Sequence, residues 1–247
     1  MRKTFLNADW RKLILANYPV DMEVLKPFIP PHTELDYWNG QLYVSLVGFM
    51  FLNTRVLGIK IPMHVNFPEV NLRFYVRYNQ NGNWKRGVVF IKEIVPKPAI
   101  SFVANSFFNE HYATMPVKNY EILEKGRLLV GYQWKYKNNW NKLEVLANPN
   151  PQLIVPGSKE EFITQHFWGY SPAGNNKTTE YEVAHPLWES YVISDYSIEC
   201  DFAGLYGESF TFLSQVNPAS VMLAEGSEIA VFNKRTVDKG DQLKTTK

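Results

Sequence analysis

Residues 69–73, Glu-Val-Asn-Leu-Arg, place a carboxylate, an amide and a guanidinium at every second position. They sit inside residues 62–77, PMHVNFPEVNLRFYVR, whose second half alternates strictly. Val70, Leu72, Phe74 and Val76 point one way; Glu69, Asn71, Arg73, Tyr75 and Arg77 point the other, which is the period of a β-strand with two unlike faces. Same-face neighbours lie roughly 6–7 Å apart, so Glu69 and Arg73 are about 13 Å apart on an ideal strand and are no direct ion pair. If this face lines a cavity, Glu69 is a candidate acid or base, and Asn71 and Arg73 are candidate contacts for a small acid or carbonyl compound. If it meets solvent, the same residues form a polar strand surface engaged in cross-strand pairing.

A second candidate is residues 109–116, NEHYATMP, the exit from an apolar helical segment. His111 and Tyr112 are types that serve as acid–base groups or hydrogen-bond donors. The alternative is helix C-terminal chemistry, with Asn109 as a left-handed cap and His111 at the favourable end of the dipole. The five histidines, His32, His64, His111, His166 and His185, show no HxH or HxxxH spacing, and the single Cys200 excludes an internal disulfide and a cysteine cluster. No metal and no cofactor is expected. GxGxxG, GxxxxGK[ST] and GxSxG are absent, so dinucleotide, P-loop and nucleophile-elbow machinery have no sequence support. Trp168, Tyr170, Tyr181 and Trp188 flank a turn and either line an apolar pocket or pack in the core.

These residues need strands to hold them. Residues 10–18 read as a strand or edge segment with Leu13 and Leu15 on one face. Asp21 caps a short helix over 22–26, stopped by Pro27, Pro30 and Pro31. Asn39-Gly40 between residues 34–38 and 41–52 predicts a type I′ hairpin, its second strand apolar enough to be buried on both faces. Asn81-Gly82 predicts another, pairing the central strand with residues 86–95. Pro98 starts an amphipathic helix to about residue 108, with Ile100, Val103, Ala104, Phe107 and Phe108 at helical spacing. A meander comes next over 119–123, 127–136 and 142–147, then a Pro-, Asn- and Gly-rich loop over 148–157. Ser158-Lys159-Glu160-Glu161 is a capping box for a helix to about residue 165. A hairpin around residues 174–176 joins 167–170 to 178–184, residues 201–206 form a helical turn, and a last hairpin joins 220–224 to 228–232 around Gly226. The fold class is α+β, mostly antiparallel β and barrel-like, with one main helix and short helices.

The chain has 247 residues, 45% hydrophobic and 15% aromatic, with a net charge of +2. It is globular, long enough for a sizeable core, and without the charge excess that suits nucleic acid or an anionic membrane. No long apolar run marks a signal peptide or a membrane span, so a cytoplasmic location is expected. Residues 1–237 are expected to form a single domain and residues 238–247 a disordered polar tail.

Several phrases together resemble the uncharacterised YqjF-like family, related to the acetoacetate decarboxylase superfamily. They are NYPVDMEVLKPFIPP, LYVSLVGFMFLNTRVLGIKIP, NFPEVNLRFYV, GVVFIKEI, EYEVAHPLW and MLAEGSEIAVF, spread from about Phe5 to Val237. The resemblance implies a closed β-barrel of the decarboxylase type, as one domain with a central cavity, and Glu69 looks similar to the superfamily's cavity glutamate. It does not imply decarboxylation, which uses a lysine whose pKa is lowered by a neighbouring cation. The similar segment here, FFNEHYATMP, has no lysine: Tyr112 and Ala113 fall where the relatives carry a lysine pair, and Lys118 comes several positions too late. The Tyr18-Pro19 step also lacks the relatives' cavity arginine. Three readings are open. The first is a small-molecule-binding barrel, its ligand unidentified, with Glu69, Asn71, Arg73 and Tyr112 as polar contacts. The second is an acid–base enzyme of lyase or hydrolase type without a covalent lysine, using Glu69 with Tyr112 or His111 on an oxo acid or carbonyl compound. The third is an assembly module whose hairpins pair between subunits as a homo-oligomer and whose cavity is filled by side chains.

Overall fold

The computed structural model describes residues 3–238. The chain runs through strand β1 (Thr4–Val20), helix α1 (Met22–Leu25), and strands β2 (Thr33–Leu35), β3 (Leu42–Val56), β4 (Phe67–Gln80) and β5 (Asn83–Val95). Helix α2 (Pro98–Phe108) is next, then β6 (Tyr112–Thr114), β7 (Val117–Glu124), β8 (Arg127–Tyr136), β9 (Asn139–Ala147) and β10 (Gln152–Leu153). The last part holds α3 (Lys159–Thr164), β11 (Trp168–Pro172), β12 (Thr178–Ala184), β13 (Glu189–Tyr191), β14 (Ile193–Glu199), α4 (Phe202–Tyr206), β15 (Ser220–Phe232) and β16 (Arg235–Val237). The expected tail lies outside the described residues apart from Asp238.

The larger sheet runs β15-β1-β3-β4-β5-β11-β12, and β12 pairs again with β15 through Val183 and Val231. The strand pairings therefore form a ring. All neighbours in it are antiparallel except β5 and β11. A second sheet, ordered β14-β9-β8-β7, packs on one face of this ring. Between the two sheets lies a core of Ile14, Ala16, Leu46, Leu72, Phe74, Val130, Trp134 and Val145. The opposite face of the ring strands carries a second apolar cluster, including Leu13, Leu15, Val47, Phe49, Phe51 and Tyr75. Both faces of β4 are thus buried, which explains a strand whose apolar and polar sides are equally dry.

The Asn81-Gly82 hairpin, the meander of β7, β8 and β9, and the turn between β11 and β12 occur as the sequence predicts. Ser158 Oγ accepts from the Glu161 amide at 3.1 Å, capping α3. Residues 10–18 belong to a strand, as one of the two readings had it, and β1 lies between β15 and β3 rather than at an edge. Three expectations are corrected. Asp21 begins α1 without its carboxylate bonding to the helix. Asn39 and Gly40 both have positive φ, and Trp38 and Gln41 exchange backbone bonds of 3.0 and 2.9 Å. The turn is real, but its first arm leaves β3: β2 pairs with β4, and the Asp36 carboxylate is held by Arg86 at 2.6 Å. Finally, residues 220–232 are one strand. Gly226, at φ +81°, lies inside the strand in unbroken register with β1, opposite Arg11, rather than in a hairpin turn, and a Cβ there would stand 2.0 Å from the Trp10 carbonyl oxygen.

Helix α2 has the predicted span and ends on Asn109 in the left-handed conformation. Its apolar stripe is not sunk in a core. Only Ser101 and Phe108 are buried, while Ile100, Val103 and Ala104 border a pocket.

Candidate functional site

Strand β4 sets the site's rows. Its Glu69 faces Phe49 of β3, Asn71 lies between Val47 of β3 and Glu93 of β5, and Glu93 pairs with Tyr112 of β6. Glu69, Asn71 and Glu93 are each no more than 2% exposed, and Arg73 is 8% exposed. The polar face of β4 therefore lines an interior, not solvent. Asn71 Nδ2 donates to Glu69 Oε1 and Tyr112 Oη donates to Glu69 Oε2, each at 3.0 Å. Glu110, just before β6, is also buried and accepts from Tyr181 Oη of β12 at 2.9 Å. Three carboxyl groups and two phenols thus meet at one end of a pocket of about 240 Å³. Its remaining walls are apolar and largely aromatic, with Trp10, Phe49, Phe51, Phe90 and Trp168 among them.

Burial governs the protonation states. Loss of solvation pushes Glu69 up from 4.5 to about 7, against the stabilising effects of Asn71, Tyr112 and the Arg73 charge. Glu110 rises to about 8 by burial and the nearby Glu69, opposed by its bond from Tyr181. Glu93 is raised by burial and by Glu110 and Glu69. His166, after α3, also borders the pocket: its Nε2 is 3.1 Å from Asp36 Oδ2, and burial lowers it to about 4, leaving a neutral ring. Several buried polar atoms on the pocket wall have no hydrogen-bond partner, among them Asn71 Oδ1, Glu93 Oε2, Arg73 Nε and His166 Nδ1. Such atoms are costly to bury unsatisfied and mark where a bound molecule or water would bond.

Of the residues singled out in the sequence, Glu69, Asn71, Arg73 and Tyr112 come together. His111 does not: it is exposed, with Nδ1 3.4 Å from the Phe90 carbonyl oxygen, and lies away from this pocket. Trp168 and Tyr181 line the pocket, whereas Tyr170 sits in the core between the sheets and Trp188 packs in the apolar cluster around the pocket. Glu93, Glu110 and His166 were not singled out. Among the described residues, no lysine lines the pocket and no group of three or more His, Cys, Asp or Glu could hold a metal ion. The open pocket also departs from the side-chain-filled cavity of an assembly module.

Mostly antiparallel strands with a few short helices, arranged in this way, are the fold of acetoacetate decarboxylase-like proteins. The acetoacetate decarboxylase of Legionella pneumophila superposes with a TM-score of 0.64 at 12% identity, covering 96% of this chain and 90% of that one. An acetoacetate decarboxylase-like enzyme from Sphingomonas wittichii RW1 gives 0.64 at 9%, covering 95% and 94%. The enduracididine biosynthesis enzyme MppR, complexed with pyruvate, gives 0.64 at 10%, covering 96% and 91%. At these identities the likeness concerns the fold. The chain belongs to the DUF2071 family, described as "Uncharacterized conserved protein", which matches residues 7–228. It is 33% identical over 135 residues to the uncharacterized protein YqjF of Bacillus subtilis (strain 168), a stretch covering 54% of this chain and about half, 52%, of that relative. Among the described residues, no helix is long and apolar enough to cross a membrane.

Proposed function

We propose that this chain binds a small molecule in the pocket, with Glu69, Asn71, Arg73 and Tyr112 as its polar contacts and the aromatic walls enclosing the rest. The ring of strand pairings is read as a closed barrel of the decarboxylase type, one domain reaching to Val237. The observation that carries this reading is the set of unpartnered, deeply buried polar atoms on residues that line a mostly apolar pocket. A structural core would leave them paired or replaced by apolar groups. The volume, about 240 Å³, lies just below the 300–1,000 Å³ usual for ligand pockets and suits a compact metabolite.

A thermal-shift screen of small oxo acids, carboxylates and apolar metabolites, run beside Glu69→Gln, tests it. Ligand at about 100 times its dissociation constant adds roughly 2.7 kcal/mol to the stability. A compound that shifts the wild type and shifts the variant less supports the assignment. A compound that shifts both equally removes Glu69 from the site. No hit across the screen refutes the binding reading.

A second reading is favoured by one further observation. Glu69, lifted to about 7 and bonded to the Tyr112 hydroxyl, is poised to take and return a proton near neutral pH. On that reading the chain is an acid–base enzyme acting without a covalent intermediate on a small carbonyl compound. Glu69→Gln would then abolish turnover of the screened ligand while leaving its binding measurable; retained turnover would refute it.

A further inference from the structure

The pocket's unpartnered atoms describe more of a ligand than its size; the ligand class they define rests on the small-molecule binding proposed for this pocket. Asn71 Nδ2 donates to Glu69 Oε1, which turns Oδ1 the other way as an acceptor without a partner. Glu93 Oε2, in the facing position on β5, is also unpartnered. Once Glu93 ionises, two buried oxygens on neighbouring strands can only accept, and a ligand that brings donors satisfies both. An ionised oxo acid has only acceptors and would leave Asn71 Oδ1 unsatisfied. Arg73 Nε is a buried donor without a partner, one step of about 7 Å further along β4. It requires an acceptor from the same ligand. Charge points the same way as the carboxyls ionise. Glu69 and Glu110 lie close enough to Glu93 to raise it, and Arg73 is the cation on the same strand face. A cation among the three carboxyls stabilises their ionised forms, and an anion near Arg73 completes the balance.

We propose that the ligand is an α-amino acid with an apolar side chain, its ammonium group on Asn71 Oδ1 and Glu93 Oε2, its carboxylate on Arg73, and its side chain against the aromatic walls. An ammonium group brings three donors, enough for both free oxygens and one carboxylate more. Trp10, Phe49 and Phe51 line the apolar part that would receive the side chain. The ammonium also changes the protons in the site. The titratable and charged groups lining the pocket are Glu69 and Arg73 of β4, Glu93 of β5, Glu110 and Tyr112 around β6, Tyr181 of β12, His64 before β4 and His166 after α3. Glu69 and Glu110, near 7 and 8 in the free pocket, become easier to ionise beside a cation. Binding therefore releases protons, and affinity rises with pH from 6 to 8.

The test is calorimetry on the full chain with compounds sharing one skeleton. L-leucine is compared with 4-methyl-2-oxopentanoate, 2-hydroxy-4-methylpentanoate and isopentylamine, with L-phenylalanine and its three matching analogues as a second set. The amino acid of at least one set is expected to bind at least tenfold more tightly than each of its analogues at pH 8. Titrations in two buffers of different ionisation enthalpy should show net proton release. Glu93→Gln should lower amino-acid affinity at least tenfold, and Arg73→Met should erase the preference for leucine over isopentylamine. An oxo or hydroxy acid binding as well as the amino acid overturns the inference while the small-molecule reading stands. So does silence of both sets when the broader screen finds another ligand. Silence in both experiments removes the pocket reading as well. Should Glu93→Gln fail to fold, the wild-type ranking within each set decides alone.

Discussion

Replacing Glu69 by Gln should reverse its effect on stability between acid and alkaline pH. Folding raises the Glu69 pKa from 4.5 to about 7, so between these values the folded state keeps a proton that the unfolded state has released. The stability tied to this proton is fully present below pH 4.5 and is lost as pH rises through about 7. At about 1.36 kcal/mol per pH unit, the loss comes to about 3 kcal/mol. A glutamine stays neutral throughout and escapes it. The amide has one acceptor oxygen where the carboxyl has two, so it cannot accept from both Asn71 and Tyr112 as Glu69 does, a cost of about 1 kcal/mol. At pH 4 the variant should be less stable than wild type by about 1 kcal/mol, near pH 5 the two should be about equal, and at pH 9 the variant should be more stable by about 2 kcal/mol. Urea unfolding at six pH values between 4 and 9 reads the difference directly. A constant difference across the range would show that Glu69 does not carry its proton into neutral pH and would refute the account of the buried carboxyls.

Three further outcomes are expected. Tyr112→Phe removes a bond that favours the ionised Glu69, so the fall in stability with pH should move to higher pH, with about 1 kcal/mol lost at pH 9; the same urea series checks both. Gly226→Ala drives a Cβ to 2.0 Å from the Trp10 carbonyl at positive φ, and should cost at least about 2 kcal/mol by urea denaturation; a neutral result would mean that the close approach of β1 to Gly226 is not fixed. Borohydride added with pyruvate should leave the protein mass unchanged, because no lysine among the described residues lines the pocket; an adduct on a lysine would overturn the absence of a Schiff-base nucleophile.

The sequence carried the site's spine but not its full membership, for reasons that lie in β5 and at the end of α2. On β4, strict alternation fixes which residues share a face, so Glu69, Asn71 and Arg73 were legible as a group. Their burial was not, because the strands that close the pocket face, β11 and β12, come from residues more than ninety positions later. Glu93 escaped because β5 has an extra residue: Leu72 faces Lys92, while Arg73 faces Phe90. Counting by twos from Phe90 puts Glu93 on the wrong face; the bulge at Ile91 turns it inward and sends Lys92 outward to the Leu205 carbonyl. Glu110 comes after a left-handed Asn109, where no periodicity operates, and only the parallel pairing of β5 with β6 brings it to the cluster. His111, its neighbour, points away for the same geometric reason. The Gly226 segment misled because a glycine between two apolar runs reads as a hairpin, whereas here the strand continues through it and Arg11 of β1 pairs directly with the glycine, whose missing Cβ leaves room for the Trp10 carbonyl.

The two burial faces of β4 also bear on how such a protein can change. Val70, Leu72, Phe74 and Val76 belong to the core between the sheets, while Glu69, Asn71 and Arg73 belong to the pocket. Neighbouring letters of one strand thus answer to separate demands, one for cohesion and one for chemistry. Substitutions at the odd positions can alter what the pocket accepts without disturbing the packing beneath it. Divergence among relatives with this architecture has a ready route: the scaffold persists in every second residue while the residues between them are rewritten.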